Sequence, residues 1–167
     1  GGEPDIDSDG DGLPDCIDAC PSVGGEICEG VVIPAGASIQ SYIDNPGIVD
    51  GSILELAGAV YTLAAPINTS GKAVIIRGTL HKSGYTRLDG GNLTRVLICS
   101  NNETRETVFQ DLVIVNGSAN GGAGMFNFNS SPTLINCTFT ENKAIWGGGM
   151  YNFKSLSLIH ISEPTRR

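Results

Sequence analysis

From residue 52 onward the chain alternates short apolar-rich runs with clusters of Gly, Asn and Asp. That pattern predicts brief strands joined by turns. The runs fall at 52–56, 60–63, 73–77, 95–99, 108–115 and 133–139. Ahead of them, residues 30–36 form a short apolar lead-in. Residues 38–44 then read as a brief helix: Ser38 is placed to cap it, Ile39, Tyr42 and Ile43 share one face, and Asn45-Pro46-Gly47 ends it. Such a helix fits as a lid over the open end of a stacked sheet, which otherwise exposes unpaired backbone groups.

The apolar pattern also repeats. Residues 121–130 read GGAGMFNFNS and residues 146–155 read WGGGMYNFKS, so an offset of 25 lays Met125 on Met150, Phe126 on Tyr151, Asn127 on Asn152 and Phe128 on Phe153. Upstream the same offset lays Phe109 on Leu134, Asp111 on Asn136, Leu112 on Cys137 and Ile114 on Phe139. A fixed period of this size predicts an all-β solenoid of stacked coils, because one unit cannot bury its apolar face alone. Alternation places Phe109, Leu112 and Ile114 inside one coil, and Leu134, Cys137 and Phe139 inside the next. Strands of successive coils then pair in parallel about 4.8 Å apart, like residue on like. Asn127 and Asn152 are placed for a stacked amide ladder, with ligand binding as the alternative. Phe126/Tyr151 and Phe128/Phe153 read as coil-packing pairs, with a sugar-stacking platform as the alternative.

The strings Gly-Gly-Gly-Met-Tyr-Asn and Ser-Pro-Thr-Leu-x-Asn-Cys-x-Phe resemble repeats of large secreted or surface-attached bacterial proteins. They look like the right-handed parallel β-helix of the pectin-lyase-like superfamily over about residues 36–155. The resemblance implies that fold; it does not carry an activity.

After Ser155 the repeat breaks, since LSLIHISEPTRR stands where Ser-Pro-Thr-Leu would recur. From Leu156 to Arg166 the string resembles the translation of a sequencing adapter, so residues 156–167 are set aside from the fold reading. With no initiator Met and no signal peptide, further chain is expected at both ends.

Charge divides the chain more sharply than its net value of −8 suggests. Residues 1–30 hold nine acids and no Lys or Arg, whereas residues 31–155 hold eight acids and eight bases. Local acidity points to a cation. There is no basic stripe for nucleic acid, and no apolar run long enough for a membrane span. Three of the five cysteines, Cys16, Cys20 and Cys28, sit close together, as in disulfide-stapled extracellular segments. Cys99 and Cys137 are expected either to have partners elsewhere or to be buried thiols.

Within the acidic segment, Asp7, Asp9, Asp11, Asp15 and Asp18 occupy positions 1, 3, 5, 9 and 12 of a loop with Gly12 at position 6. Alternate side chains point inward, the glycine permits the sharp turn, and the Leu13 carbonyl at position 7 supplies a further oxygen for Ca²⁺. No amphipathic helices flank the loop. About residues 5–21, ending in Asp18-Ala19-Cys20-Pro21, resemble the thrombospondin type 3 calcium-binding repeat. A disordered acidic linker is the alternative.

Some pectin-lyase-like proteins are polysaccharide lyases or glycosidases, which need acids gathered around calcium with a base, or paired carboxylates. The acids of residues 31–155 (Asp44, Asp50, Glu55, Asp89, Glu103, Glu106, Asp111 and Glu141) are scattered in sequence. His81 stands alone in a polar stretch and reads as a solvated loop residue. Asp89 and Arg95 are the candidate acid–base pair, and Asp89 reads as a turn former. Six Asn-x-Ser/Thr sequons read as turn and ladder chemistry. The expectation is a secreted or cell-surface protein: a calcium-binding spacer over 1–30, then β-helix coils over 31–155 that contact polysaccharide or cell-surface glycans or act as a scaffold. The alternative is the N-terminal part of a polysaccharide lyase or glycosidase whose active site lies on further coils.

Overall fold

The computed structural model describes residues 30–82, 84–155 and 158–160, the last three as backbone alone. The chain divides into two units, Gly1–Gly30 and Val31–Arg167, and Gly30 apart the described residues belong to the second.

That unit is a parallel β-solenoid. It opens with β1 (Val31–Ile33) and a helix, α1 (Ile39–Ile43). The first three-strand coil is β2 (Ile53–Leu56), β3 (Val60–Thr62) and β4 (Ile67–Asn68). The second is β5 (Ile75–Gly78), β7 (Gly84–Asp89) and β8 (Leu97–Cys99), with β6 (Leu80–His81) folding back on β7 as an antiparallel excursion. The third is β9 (Val108–Gln110), β10 (Leu112–Val115) and β11 (Met125–Phe128). The fourth is β12 (Thr133–Ile135), β13 (Thr138–Thr140) and β14 (Met150–Phe153), followed by β15 (Leu158–His160).

Three parallel sheets result. The first runs β1-β2-β5-β9-β12-β15, the second β3-β7-β10-β13 and the third β4-β8-β11-β14, so the chain climbs about five turns.

Each sheet contributes one interior column. Leu54, Ile76, Phe109 and Leu134 stack on the first, Tyr61, Leu88, Ile114 and Phe139 on the second, and Ile67, Leu97, Met125 and Met150 on the third. These residues form one continuous core. The inside–outside alternation expected for Phe109, Leu112 and Ile114 holds, with all three buried. In the fourth coil Leu134 is buried, whereas Cys137 and Phe139 are half-buried against the core.

The register of 25 is the pairing register of the last two full coils: Met125 lies on Met150, Ile114 on Phe139 and Phe109 on Leu134. The two long runs predicted as single strands, 108–115 and 133–139, are each split in two. Asp111 and Asn136, one repeat apart, adopt left-handed backbone at φ 55° and 49° and turn the chain from the first sheet to the second. Asp and Asn tolerate that conformation better than other non-glycine residues. Their side chains join the coils, Asn136 Nδ2 donating to Asp111 Oδ1 at 2.7 Å. The lead-in at 30–36 contains a strand, β1, which pairs with β2.

Beyond Ser155 the backbone of β15 pairs with β12 at the same offset of 25, Ile159 on Leu134. An open parallel edge offers N–H and C=O groups to any extended segment, whatever its side chains.

The helical lid forms as expected. Ser38 caps it, its Oγ accepting from the Ser41 N–H at 3.4 Å, and Ile39 and Ile43 are buried. Lys72 Nζ donates to the Ile43 carbonyl at 2.6 Å, at the end where a helix concentrates negative partial charge. Below the lid, Tyr61 Oη donates to the Ile33 carbonyl at 2.5 Å and accepts from the Gly58 N–H at 2.8 Å, pinning β1 to the first coil.

Candidate functional site

The third sheet brings together the side chains with the most distinctive chemistry. Its inward positions on β11 are Met125 and Asn127, and its outward positions are Phe126 and Phe128. Because β14 repeats β11 residue for residue in register, each outward ring meets an aromatic ring of the next coil. Phe126 and Tyr151 stack with centroids 5.8 Å apart and planes 2° from parallel; Phe128 and Phe153 stack at 5.6 Å and 2°. Both separations exceed the strand spacing of about 4.8 Å, so the rings are slipped rather than eclipsed and keep part of each face open. Phe128 is 37% exposed and Phe153 43%, so the rows form an apolar outer surface as well as a contact between coils.

Two cations border these rings. The Arg95 guanidinium lies 4.7 Å from the Phe126 centroid, and Lys154 Nζ lies 5.7 Å from that of Phe153. Arg95 is fixed in place: Nε donates to the Gly122 carbonyl at 2.9 Å and a terminal nitrogen to the Gly121 carbonyl at 2.7 Å. Burial pushes its pKa below the ordinary value. None of β4, β8, β11 and β14 carries an Asp or Glu. On the turn leading into β14, Trp146 is 62% exposed.

The glycines of the GGAG and WGGG motifs explain how these turns fit. Gly122 and Gly147 hold φ near 58° and 59°, and a Cβ on Gly124 would lie 2.3 Å from the Gly149 carbonyl oxygen. Only glycine lets the two turns stack that closely.

Behind the sheet lies a buried polar corner. Asn127 Nδ2 donates to Asn152 Oδ1 at 2.8 Å, the expected amide ladder. Beside it Glu103, 2% exposed, is held by donors from three successive coils. Thr69 Oγ1 and the Gly71 N–H reach its Oε1 at 2.9 and 3.1 Å; the Asn101 N–H and Ser130 Oγ reach its Oε2 at 2.8 and 2.7 Å. Burial pushes the Glu103 pKa up, and the bonds from Ser130, the Asn101 and Glu103 amides and Thr69 outweigh it, leaving the carboxyl below its ordinary value. Cys99, next to this corner, is a buried free thiol whose pKa is raised by burial. Burial likewise pushes the Cys137 thiol up to about 11, so both are protonated at neutral pH.

Asp89 and Arg95 do not meet as an acid–base pair. Asp89 Oδ1 accepts from the Gly91 N–H at 2.8 Å and from Asn116 Nδ2 at 3.0 Å, a turn former as expected, while Arg95 turns to the glycine carbonyls of the next coil. His81 is not a solvated loop residue: it lies half-buried in β6, with Nε2 2.8 Å from Thr79 Oγ1. The proposed calcium ligands Asp7, Asp9, Asp11, Leu13, Asp15 and Asp18, and also Cys16, Cys20 and Cys28, lie outside the described residues. Among the described residues no three His, Cys, Asp or Glu side chains gather as a metal site, and no helix is long and apolar enough to cross a membrane.

Sequence reasoning missed Glu103 and Trp146. Nothing local marks Glu103 as buried, since its partners Thr69 and Ser130 lie 34 and 27 residues away. Trp146 could have been found, because the 25-residue offset lays it on Gly121, so its indole has no matching side chain in the coil before. Compared with known proteins, the chain matches no family model, no curated protein and no solved structure.

Proposed function

We propose that this protein is a binding and scaffolding module of a secreted or cell-surface protein, and that the outer face of its third sheet contacts glycan chains. One observation carries the reading: two half-exposed aromatic rows, bordered by Arg95 and Lys154, lie on an outer face whose strands hold no acid. Aromatic surface with cations at its margin suits sugar rings, which pair apolar C–H faces with polar edges. A rigid solenoid presents that surface at low entropic cost, since the rows are ordered before a ligand arrives. The acidic segment preceding it serves in this reading as a calcium-binding spacer, with Asp7, Asp9, Asp11, Asp15, Asp18 and the Leu13 carbonyl as ligands. The support there is the spacing of the carboxylates.

Retention of the full chain on a panel of immobilised neutral and acidic polysaccharides tests the glycan reading. Binding should fall at least about tenfold, or about 1.4 kcal/mol, in a Tyr151→Ala/Phe153→Ala variant. It should be unchanged in Val60→Ala, which alters the second sheet. No retention of the wild-type chain, or equal loss in both variants, would overturn it.

A further inference from the structure

Two Asn-Gly pairs sit four residues apart, Asn116-Gly117 and Asn120-Gly121. In an unfolded chain the two react alike, because a glycine offers no Cβ to hinder attack of its backbone nitrogen on the preceding side-chain carbonyl carbon. Folding separates them. The Gly117 N–H donates to Asn142 Oδ1 at 2.8 Å, and Asn116 Nδ2 donates to Asp89 Oδ1 at 3.0 Å. Both the nucleophile and the leaving amide of that pair are held.

At the second pair neither is held. Asn120 is exposed, and its side chain has no hydrogen-bond partner among the described residues. The pairing between coils uses the Asn120 carbonyl, which accepts from the Ile145 and Trp146 N–H groups at 3.1 and 3.2 Å. It also uses the Gly122 N–H, which donates to the Trp146 carbonyl at 3.0 Å. The Gly121 N–H between them has no acceptor among the described residues, because alternate groups of a parallel strand face away from the ladder. Space is open as well, since the nearest atom to a Cβ built on Gly121 is the Trp146 carbonyl oxygen at 3.7 Å.

We infer that Asn120 is a site of spontaneous conversion to isoaspartate, and that the fold protects Asn116 from the same reaction. Hydroxide removes the Gly121 amide proton, and the nitrogen attacks Asn120 Cγ. A new C–N bond closes the succinimide ring, the bond to the side-chain nitrogen breaks, and ammonia leaves with a proton from water. Water then opens the ring at either carbonyl, giving aspartate or isoaspartate, with no change in oxidation state.

Isoaspartate routes the main chain through the former side chain, adding one methylene ahead of Gly121. The Gly121 and Gly122 carbonyls hold the Arg95 guanidinium over Phe126. Lengthening the chain there loosens Arg95 and places a new carboxylate on the turn beside it. The effect on glycan retention rests on the third sheet being the binding surface; the modification itself does not.

The test is incubation of the full chain at mildly alkaline pH, native and in denaturant, with peptide mapping that distinguishes aspartate from isoaspartate. In the native chain Asn120 should convert at least about tenfold faster than Asn116, whose two hydrogen bonds must open first. In denaturant the two rates should agree within about twofold, and Asn120→Gln should abolish the product at position 120 while leaving the Asn116 rate unchanged. Equal native rates, faster conversion at Asn116, or an unmodified Asn120 in the native chain would each overturn the inference.

Discussion

The side-chain amide of Gln40 pairs with both backbone polar groups of Asn68: Nε2 donates to its carbonyl at 3.0 Å, and Oε1 accepts from its N–H at 2.8 Å. One helical side chain thereby stands where another strand of the third sheet would pair. This is how a five-residue helix closes the first edge of that sheet, which would otherwise be open for pairing with other chains.

Replacing Gln40 with alanine should therefore cost about 1–3 kcal/mol, since two partly buried backbone groups lose their partner. Urea unfolding should show a lower midpoint with the slope preserved. A midpoint within error of wild type would mean that water replaces the amide at no cost.

The Glu103 cage predicts an acid-sensitive solenoid. Its folded pKa lies below the ordinary value of 4.5, so the stabilisation is fully present above that pH and is lost as pH falls through the folded value. Glu103→Gln puts an NH₂ group where the Gly71 or Asn101 N–H now donates, costing about 1–3 kcal/mol at neutral pH. Melting temperatures of the two chains should converge on acidification below about pH 4.5. A gap that stays constant with pH would show that the carboxylate charge is not what matters.

Leu112 and Val113 are adjacent and face opposite ways. Leu112 is 1% exposed in the core, while Val113 lies between Arg87 and Thr138 on the outer face. Leu112→Asp should destabilise by several kcal/mol more than Val113→Asp, because only the first buries an unpaired carboxylate. Equal melting temperatures would contradict the register.

For the acidic segment, calorimetric titration of the full chain with CaCl₂ should show saturable binding with a Kd of about 10⁻⁴ to 10⁻³ M. Joint substitution of Asp7, Asp9 and Asp11 by Asn should abolish it. Heat that is non-saturable, or unchanged in the variant, would remove calcium from the proposal.

The solenoid, its register and its lid are legible in the sequence. Those features follow from periodicity and local chemistry: an offset of 25 aligns Met125 with Met150 and Phe109 with Leu134, and a Ser, an apolar face and an Asn-Pro-Gly stop define α1. The splitting of the long runs was half legible. Asp111 and Asn136 were aligned by the repeat, but their left-handed backbone emerges only once both flanking segments pair into different sheets.

The tertiary structure alone decided the rest. Whether Glu103 is one of several scattered acids or a buried link between coils depends on Thr69 and Ser130 arriving from either side. Whether Arg95 faces Asp89 or the ring of Phe126 depends on where the glycine turn of the next coil places its carbonyls. The same holds for the two Asn-Gly pairs, alike in sequence and told apart by Asn142 and Asp89. Each outcome turns on hydrogen-bond partners about one coil away, and a side chain's burial and charge are set by neighbours that only the stacking of coils supplies.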